Sequence, residues 1–247
     1  MDIARVKEYL GMEWTAVQER IAGSLESDIA LLDQTNKSIL SHSGKQLRPI
    51  LALLSARACS ADGRASEATV RYAAAAELLH NATLLHDDVA DDSDQRRGVP
   101  TIRSIMGPTV SVLLGDYWLV KAMELILGDH DADSQVIRIF SKTLSDLAEG
   151  ELLQLQKAQS GDTVEDDYLR IIYSKTASLF EASCVSAALS VGASDQTVAA
   201  MKAYAVALGL AFQIKDDILD YDIEWKVLRR HTKILQEFPM NIDLFHR

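Results

Sequence analysis

No segment of this chain alternates apolar and polar residues with the period of two that a half-buried strand requires. Its apolar residues recur three and four apart instead, which is the period of a helix face. Proline interrupts the pattern at only four positions, Pro49, Pro100, Pro108 and Pro239, while alanine and leucine abound. The spacing predicts helices over roughly 2–20, 22–41, 46–60, 66–90, 107–128, 131–159, 164–191 and 195–221. Breaks are expected at Gly44, Asp62-Gly63, Gly98-Val99-Pro100, Gly128-Asp129, Gly161-Asp162 and Gly192. There is no internal repeat of fixed period and no low-complexity linker. A hydrophobic fraction of 48% is ample for a sizeable core. The expected fold class is therefore all-α, one domain of helices packed around a cavity.

Two aspartate clusters end apolar runs of this pattern. The first is Leu84-Leu85-His86-Asp87-Asp88-Val89-Ala90-Asp91-Asp92, and the second is Gln213-Ile214-Lys215-Asp216-Asp217-Ile218-Leu219-Asp220. Residues four apart share a helix face, so Asp87 projects with Asp91 and Asp216 with Asp220. Asp88 and Asp217 lie about 100° round the helix. Like charges at this spacing are mildly destabilising unless a cation sits between them. Magnesium, a hard ion that takes carboxylate and phosphate oxygens, suits the role. A single D-D-x-x-D is more often a solvated helix end; two copies, each behind an apolar run, favour metal ions bridging to a diphosphate.

Basic residues accompany the acids. Arg96 and Arg97 follow the first cluster. Lys45 and Arg48 stand in Gly44-Lys45-Gln46-Leu47-Arg48-Pro49, three apart and so on one side of a helical turn, and Lys175 opens the apolar run Lys175-Thr176-Ala177-Ser178-Leu179-Phe180. Ordinary surface ion pairs would account for the arginines alone, but guanidinium is also the preferred fork for phosphate oxygens. Acid plus metal for one diphosphate, with separate base for another, implies two anionic substrates. His86 is read as structural, Lys215 as offsetting local negative charge, and Gln154 and Gln156 as a polar stripe.

The net charge of −11 argues against a nucleic-acid binder and against an electrostatic anchor on anionic lipid. Cys59 and Cys184 stand in no metal-ligand spacing and fit a reducing cytosol. The N-terminal Met1–Lys7 segment leads into no signal-peptide h-region, and no apolar stretch is expected to be long enough to span a bilayer.

The Gly44–Pro49 stretch, Glu77-Leu78-Leu79-His80, Asp87–Asp91 with Arg96-Arg97-Gly98, Lys175-Thr176, and Gln213 with Asp216–Asp220 occur in one order along the chain. In these elements and their spacing it resembles the all-trans polyprenyl diphosphate synthases, from near the N-terminus to about Tyr221. The resemblance implies antiparallel helices around a deep apolar tunnel, usually in a cytoplasmic homodimer. It implies Mg²⁺ on Asp87, Asp88 and Asp91 from one wall and on Asp216, with Asp217 and Asp220, from the other. It places isopentenyl diphosphate on Lys45, Arg48, His80 and Arg97, and an allylic diphosphate on Arg96, Lys175, Thr176 and Gln213. The implied reaction ionises the allylic C–O bond as pyrophosphate leaves, with metal and base stabilising it. The double bond of isopentenyl diphosphate attacks the allyl cation, and a proton is lost.

Ala82 and Thr83 are small just upstream of the first motif, and Ala73-Ala74-Ala75-Ala76 lies farther back. With about 1.5 Å of rise per residue, an open tunnel there implies a long product, roughly C30 to C50. Tight helix packing is the other reading of the alanine run. After Tyr221 the resemblance stops, and residues 222–247 carry no family motif. The family's usual closing loop and further helices are not matched there, so an intact substrate-binding half with weakened turnover is expected. Competing readings are a short-chain (C15–C20) synthase, a terpene cyclase, which would not need Lys45, Arg48 and Arg97, and a non-catalytic subunit of a two-component synthase.

Overall fold

The computed structural model describes residues 2–96, 98–128 and 133–230, with only the helical backbone given for 220–230. As expected, the fold is all-α. Its helices are α1 (Ile3–Leu10), α2 (Met12–Ser24), α3 (Ala30–Ser41), α4 (Leu47–Cys59), α5 (Glu67–Ala90), α6 (Ile102–Met106), α7 (Pro108–Leu127), α8 (Ser134–Ser160), α9 (Glu165–Ile172), α10 (Ser178–Ser190) and α11 (Asp195–Arg230). A single π-helical turn, Tyr173–Ala177, joins α9 to α10.

The central helix is α5. Ser66 caps its first turn with a reciprocal Ser66–Thr69 box, which satisfies donors that would otherwise be orphaned there. Ala73, Ala74, Ala75, Ala76, Leu78 and Leu79 are all fully buried. α2, α4, α7 and α10 pack around the helix. The alanine run is thus close packing: small side chains let four helices approach one axis. At the far side, Trp118 of α7 is fully buried and donates its indole N–H to Asn36 of α3 at 2.8 Å. Asn36 in turn donates to the Leu25 carbonyl at 2.9 Å. Arg57 of α4 ties down the α1–α2 corner, with Nε 2.7 Å from Glu13 and its other nitrogens on the Tyr9 and Leu10 carbonyls.

Several expectations need correction. The helix expected over 2–20 breaks at Gly11, which turns the corner with φ 56°. The one expected over 22–41 breaks between Ser24 and Ala30, where the freed Leu25 carbonyl is taken up by Asn36. A minimal hairpin, β1 (Gln95–Arg96) with β2 (Val99–Pro100), stands where no strand was expected, and two-residue strands are too short to leave a periodic signal. The segment Asp195–Leu219 of α11 is, by length and composition, apolar enough to cross a membrane, contrary to expectation. Its hydropathy is spread over many alanines rather than a leucine run, and the helix packs on α10 and the π turn. The tail expected from residue 222 begins inside α11, and residues 231–247 lie outside the described residues.

Candidate active site

The first aspartate motif forms the C-terminal end of α5. Asp91 caps the helix, donating its N–H to the Asp87 carbonyl at 2.8 Å. Carboxylates at this end oppose the helix dipole, so the motif attracts a cation for two independent reasons. Asp88 is buried, and Arg96 of the hairpin meets it at 2.8 Å between Nε and Oδ1. Arg103 holds the loop beneath by pairing with Asp92 and, at 2.8 Å, with Asp94. Asp87 points inward. Burial, and then the nearby charge of Glu151, push its carboxyl up to about 6, against the lowering pull of Lys175 and Arg96.

Glu151 and Lys175 form the opposing wall. Lys175 Nζ lies 2.6 Å from Glu151 and donates to Gln154 at 2.8 Å, both on α8. The approach is close because α8 carries Gly150 at the contact. A Cβ there would stand 2.5 Å from the Ser174 Cβ and 3.3 Å from the Lys175 Cγ. The second wall is built by the next residue of the same π turn. Thr176 donates to Gln213 at 2.6 Å, Gln213 donates to Asp217 Oδ1 at 2.8 Å, and the Tyr168 hydroxyl donates to Asp217 Oδ2 at 2.7 Å. Gly209 lets α11 reach the turn, since a Cβ on it would stand 2.5 Å from the Ala177 Cα. Consecutive residues of one turn thus serve both acidic motifs, Lys175 beside Asp87 and Thr176 through Gln213 to Asp217. π turns of this kind recur at functional sites.

Asp216 is half-buried and makes no hydrogen bond or ion pair among the described residues. The side chain of Asp220 and all of Arg97 lie outside the described residues. Lys45 is exposed, in the loop before α4. The helical turn expected to align it with Arg48 does not form, because Gln46 between them takes a left-handed conformation (φ 56°, ψ 52°) and the helix starts at Leu47. Arg48 lies over the Phe180 ring, 5.0 Å from its centroid. His80 is half-buried on α5, two turns before the motif. His86 faces α7, 3.2 Å from Asp116 and against Gly115, which supports its structural reading.

Glu151 and Tyr168 were not singled out from sequence. Glu151 carried a faint signal, standing beside a helix-interior glycine that costs about 1 kcal/mol relative to alanine unless packing requires it. Among the described residues no three acidic side chains lie close enough to share one ion. The acids present could hold a divalent cation jointly with a substrate's phosphates. Asp87, and Asp216 with no hydrogen bond or ion pair among the described residues, fit such an ion. Asp91 at the helix end is a third candidate ligand.

Comparison with known proteins agrees with this geometry. The sequence model of the polyprenyl synthetase family matches residues 29–233. The octaprenyl diphosphate synthase of Escherichia coli is 37% identical over all 247 residues, which span 75% of that protein. The crystal structure of a decaprenyl diphosphate synthase from Rhodobacter capsulatus superposes with a TM-score of 0.83 at 39% identity, over 89% of this chain and 66% of that one. A polyprenyl synthase from Caulobacter crescentus, solved with calcium and isoprenyl diphosphate, gives 0.83 at 35% identity, over 90% and 66%. The chain therefore spans three quarters of the octaprenyl synthase and about two thirds of the two solved structures.

Proposed function

Since this chain belongs to the polyprenyl synthetase family, we propose that it is a prenyltransferase that condenses isopentenyl diphosphate head-to-tail with an allylic diphosphate to give a long all-trans polyprenyl diphosphate. The observation that carries the reading is the π turn between the two acidic motifs, with Lys175 beside Asp87 and Thr176 joined through Gln213 to Asp217. The helical unit 1–221 holds every residue assigned to the reaction.

Asp87, Asp91 and Asp216 would hold Mg²⁺, with Asp220 from the same motif. When bound, the metal neutralises diphosphate charge and eases departure of pyrophosphate. Lys175 and Arg96 add positive charge to the leaving group. Lys175 is held between Glu151 and Gln154, so it is aimed before substrate arrives. Thr176 and Gln213 complete the allylic diphosphate site. Lys45, Arg48, His80 and Arg97 hold isopentenyl diphosphate. Its double bond forms the new C–C bond, and the proton lost from the adduct passes to pyrophosphate. Leu85 and Ala82, just upstream of the first motif, belong to the buried apolar core.

The polyprenyl product runs beside α5. An Ala82→Phe variant, measured by mass, is expected to shorten it by several isoprene units; an unchanged ladder would place Ala82 away from the tunnel. α7 exposes Leu113 (63%), Val120 (54%) and Leu127 (44%), seven apart and so on one stripe. A second copy would cover this stripe in a homodimer. Val120→Glu is then expected to weaken dimerisation about a hundredfold, because an unpaired charge buried there costs about 3 kcal/mol or more. Sedimentation velocity would read it, and an unchanged dimer would exclude α7. The free thiols Cys59 and Cys184 support a reducing, cytoplasmic setting. α11 is read as part of the bundle because Gln213 and Asp217 in its apolar stretch bond α9 and the π turn.

The test is a Mg²⁺-dependent assay of the chain with farnesyl diphosphate and labelled isopentenyl diphosphate, resolved by product mass. A ladder ending at one long product is expected. Incorporation stopping at one or two units would favour a short-chain synthase, and none at all would favour the non-catalytic subunit over a self-sufficient enzyme.

A further inference from the structure

Among the described motif acids, Asp217 differs in how fully its carboxylate is engaged. Gln213, one turn back on α11, donates to one oxygen at 2.8 Å, and Tyr168 of α9 donates to the other at 2.7 Å. A metal at Asp217 would have to share or displace one of these bonds, whereas Asp216 next to it makes no hydrogen bond or ion pair among the described residues. The tyrosine is a permanent donor. Its phenolic O–H has the Asp217 carboxylate, an acceptor only, directly in front of it. An O–H···O⁻ bond of this kind is among the stronger hydrogen bonds.

The element carrying Tyr168 is itself anchored. Lys157, near the end of α8, pairs with Asp167 at 2.8 Å and with Asp162 at 3.3 Å. α9 packs on α8, on the π turn and on α11. Tyr168 therefore links a braced helix to the second motif, while Gln213 links that motif to Thr176.

We propose that Tyr168 is a positioning residue for the second motif: with Gln213 it takes up both oxygens of Asp217, making Asp217 a bracket for α11 and leaving Asp216 as the acid that meets the metal–diphosphate. This deepens the prenyltransferase reading and rests on it.

The test is calorimetric titration of inorganic pyrophosphate with Mg²⁺ onto the full chain and its variants. In Tyr168→Phe, which removes only the hydroxyl, affinity is expected to fall about tenfold, the scale on which outer partners of a metal site act. The KM for the allylic diphosphate and the Mg²⁺ needed for half-maximal rate are expected to rise together, with the KM for isopentenyl diphosphate unchanged. A merely structural hydroxyl would not split the two substrates in this way. Asp217→Asn, which keeps an acceptor for Tyr168, is expected to lose no more than Tyr168→Phe, while Asp216→Asn loses about a hundredfold. Equal affinity in Tyr168→Phe and the unsubstituted chain would overturn this proposal alone. Equal losses in Asp217→Asn and Asp216→Asn would overturn it by making Asp217 a ligand. No binding by the unsubstituted chain would overturn the reading of the site, and this proposal with it.

Discussion

Asp87→Asn is expected to cut turnover about 10²–10³-fold while raising the melting temperature of the metal-free protein near neutral pH. The two effects share one cause. The Asp87 carboxyl is pushed up to about 6 by burial and by Glu151, whereas the unfolded chain releases that proton near the ordinary value for aspartate. Below the unfolded value both states are protonated and the group's stabilising contribution is fully present. As pH rises through about 6 the buried group must ionise beside Glu151, and the folded state loses that advantage. Two pK units correspond to a cost on the order of 2–3 kcal/mol in the ionised protein. Asparagine keeps the shape and removes the charge, so the variant is expected to melt several degrees higher at about pH 8 and with little difference at about pH 4. Adding Mg²⁺ with pyrophosphate is expected to close the gap by stabilising only the unsubstituted chain. Calorimetry at the two pH values, with single-turnover incorporation of labelled isopentenyl diphosphate, would read both. A variant that turns over normally would remove Asp87 from the site.

A single methyl group at either glycine flanking the π turn is the second large effect. Gly209→Ala would put a carbon 2.5 Å from the Ala177 Cα and 2.7 Å from its Cβ. Both atoms belong to Ala177 at the end of the π turn, backbone and Cβ rather than the free end of a long side chain, so α11 must move out. The expected cost is about 1–3 kcal/mol of stability. Thr176 and Gln213 stand on the two elements that separate, and a misplacement of about 1 Å is enough to lower kcat about 10²-fold. Gly150→Ala is expected to act alike on the Lys175 side, where the new carbon meets the Ser174 Cβ at 2.5 Å. Adding Ser174→Gly to Gly150→Ala removes that atom and is expected to restore part of the rate. A double-mutant cycle measures the coupling directly, and additive effects would show that the two residues do not press on each other.

What could be read from the sequence was local. The two aspartate motifs, Arg96 just past the first of them, Lys175-Thr176 and Gln213 each stand out over a few consecutive residues. Helical periodicity was enough to make the fold all-α. What escaped depends on pairing across space or on single backbone angles. Nothing near Tyr168 in the chain indicates that its hydroxyl meets Asp217, forty-nine positions away. Glu151 matters because α8 lies against the π turn. The three-residue spacing of Lys45 and Arg48 suggested a shared helical face, but spacing cannot reveal that Gln46 turns left-handed between them. The break after Ser24 is likewise invisible locally, since its open carbonyl at Leu25 is satisfied by Asn36 from the next helix. The alanine run allowed two readings, and only the four helices around α5 decide between them.

An α-helix closes its hydrogen bonds four residues back and a π turn five, so Tyr173–Ala177 amounts to an α-helix with one inserted residue. Each residue advances the helix phase by about 100°. Everything downstream of the insertion, including the buried face of α10, is therefore out of step with α9 by that angle. Deleting one residue here would leave an unbroken, well-formed helix and still ruin the enzyme. α9 would keep Tyr168 on Asp217, or α10 would keep Phe180 and Leu179 in the core, but not both. The site depends on a phase shift, and helical content would not register its loss.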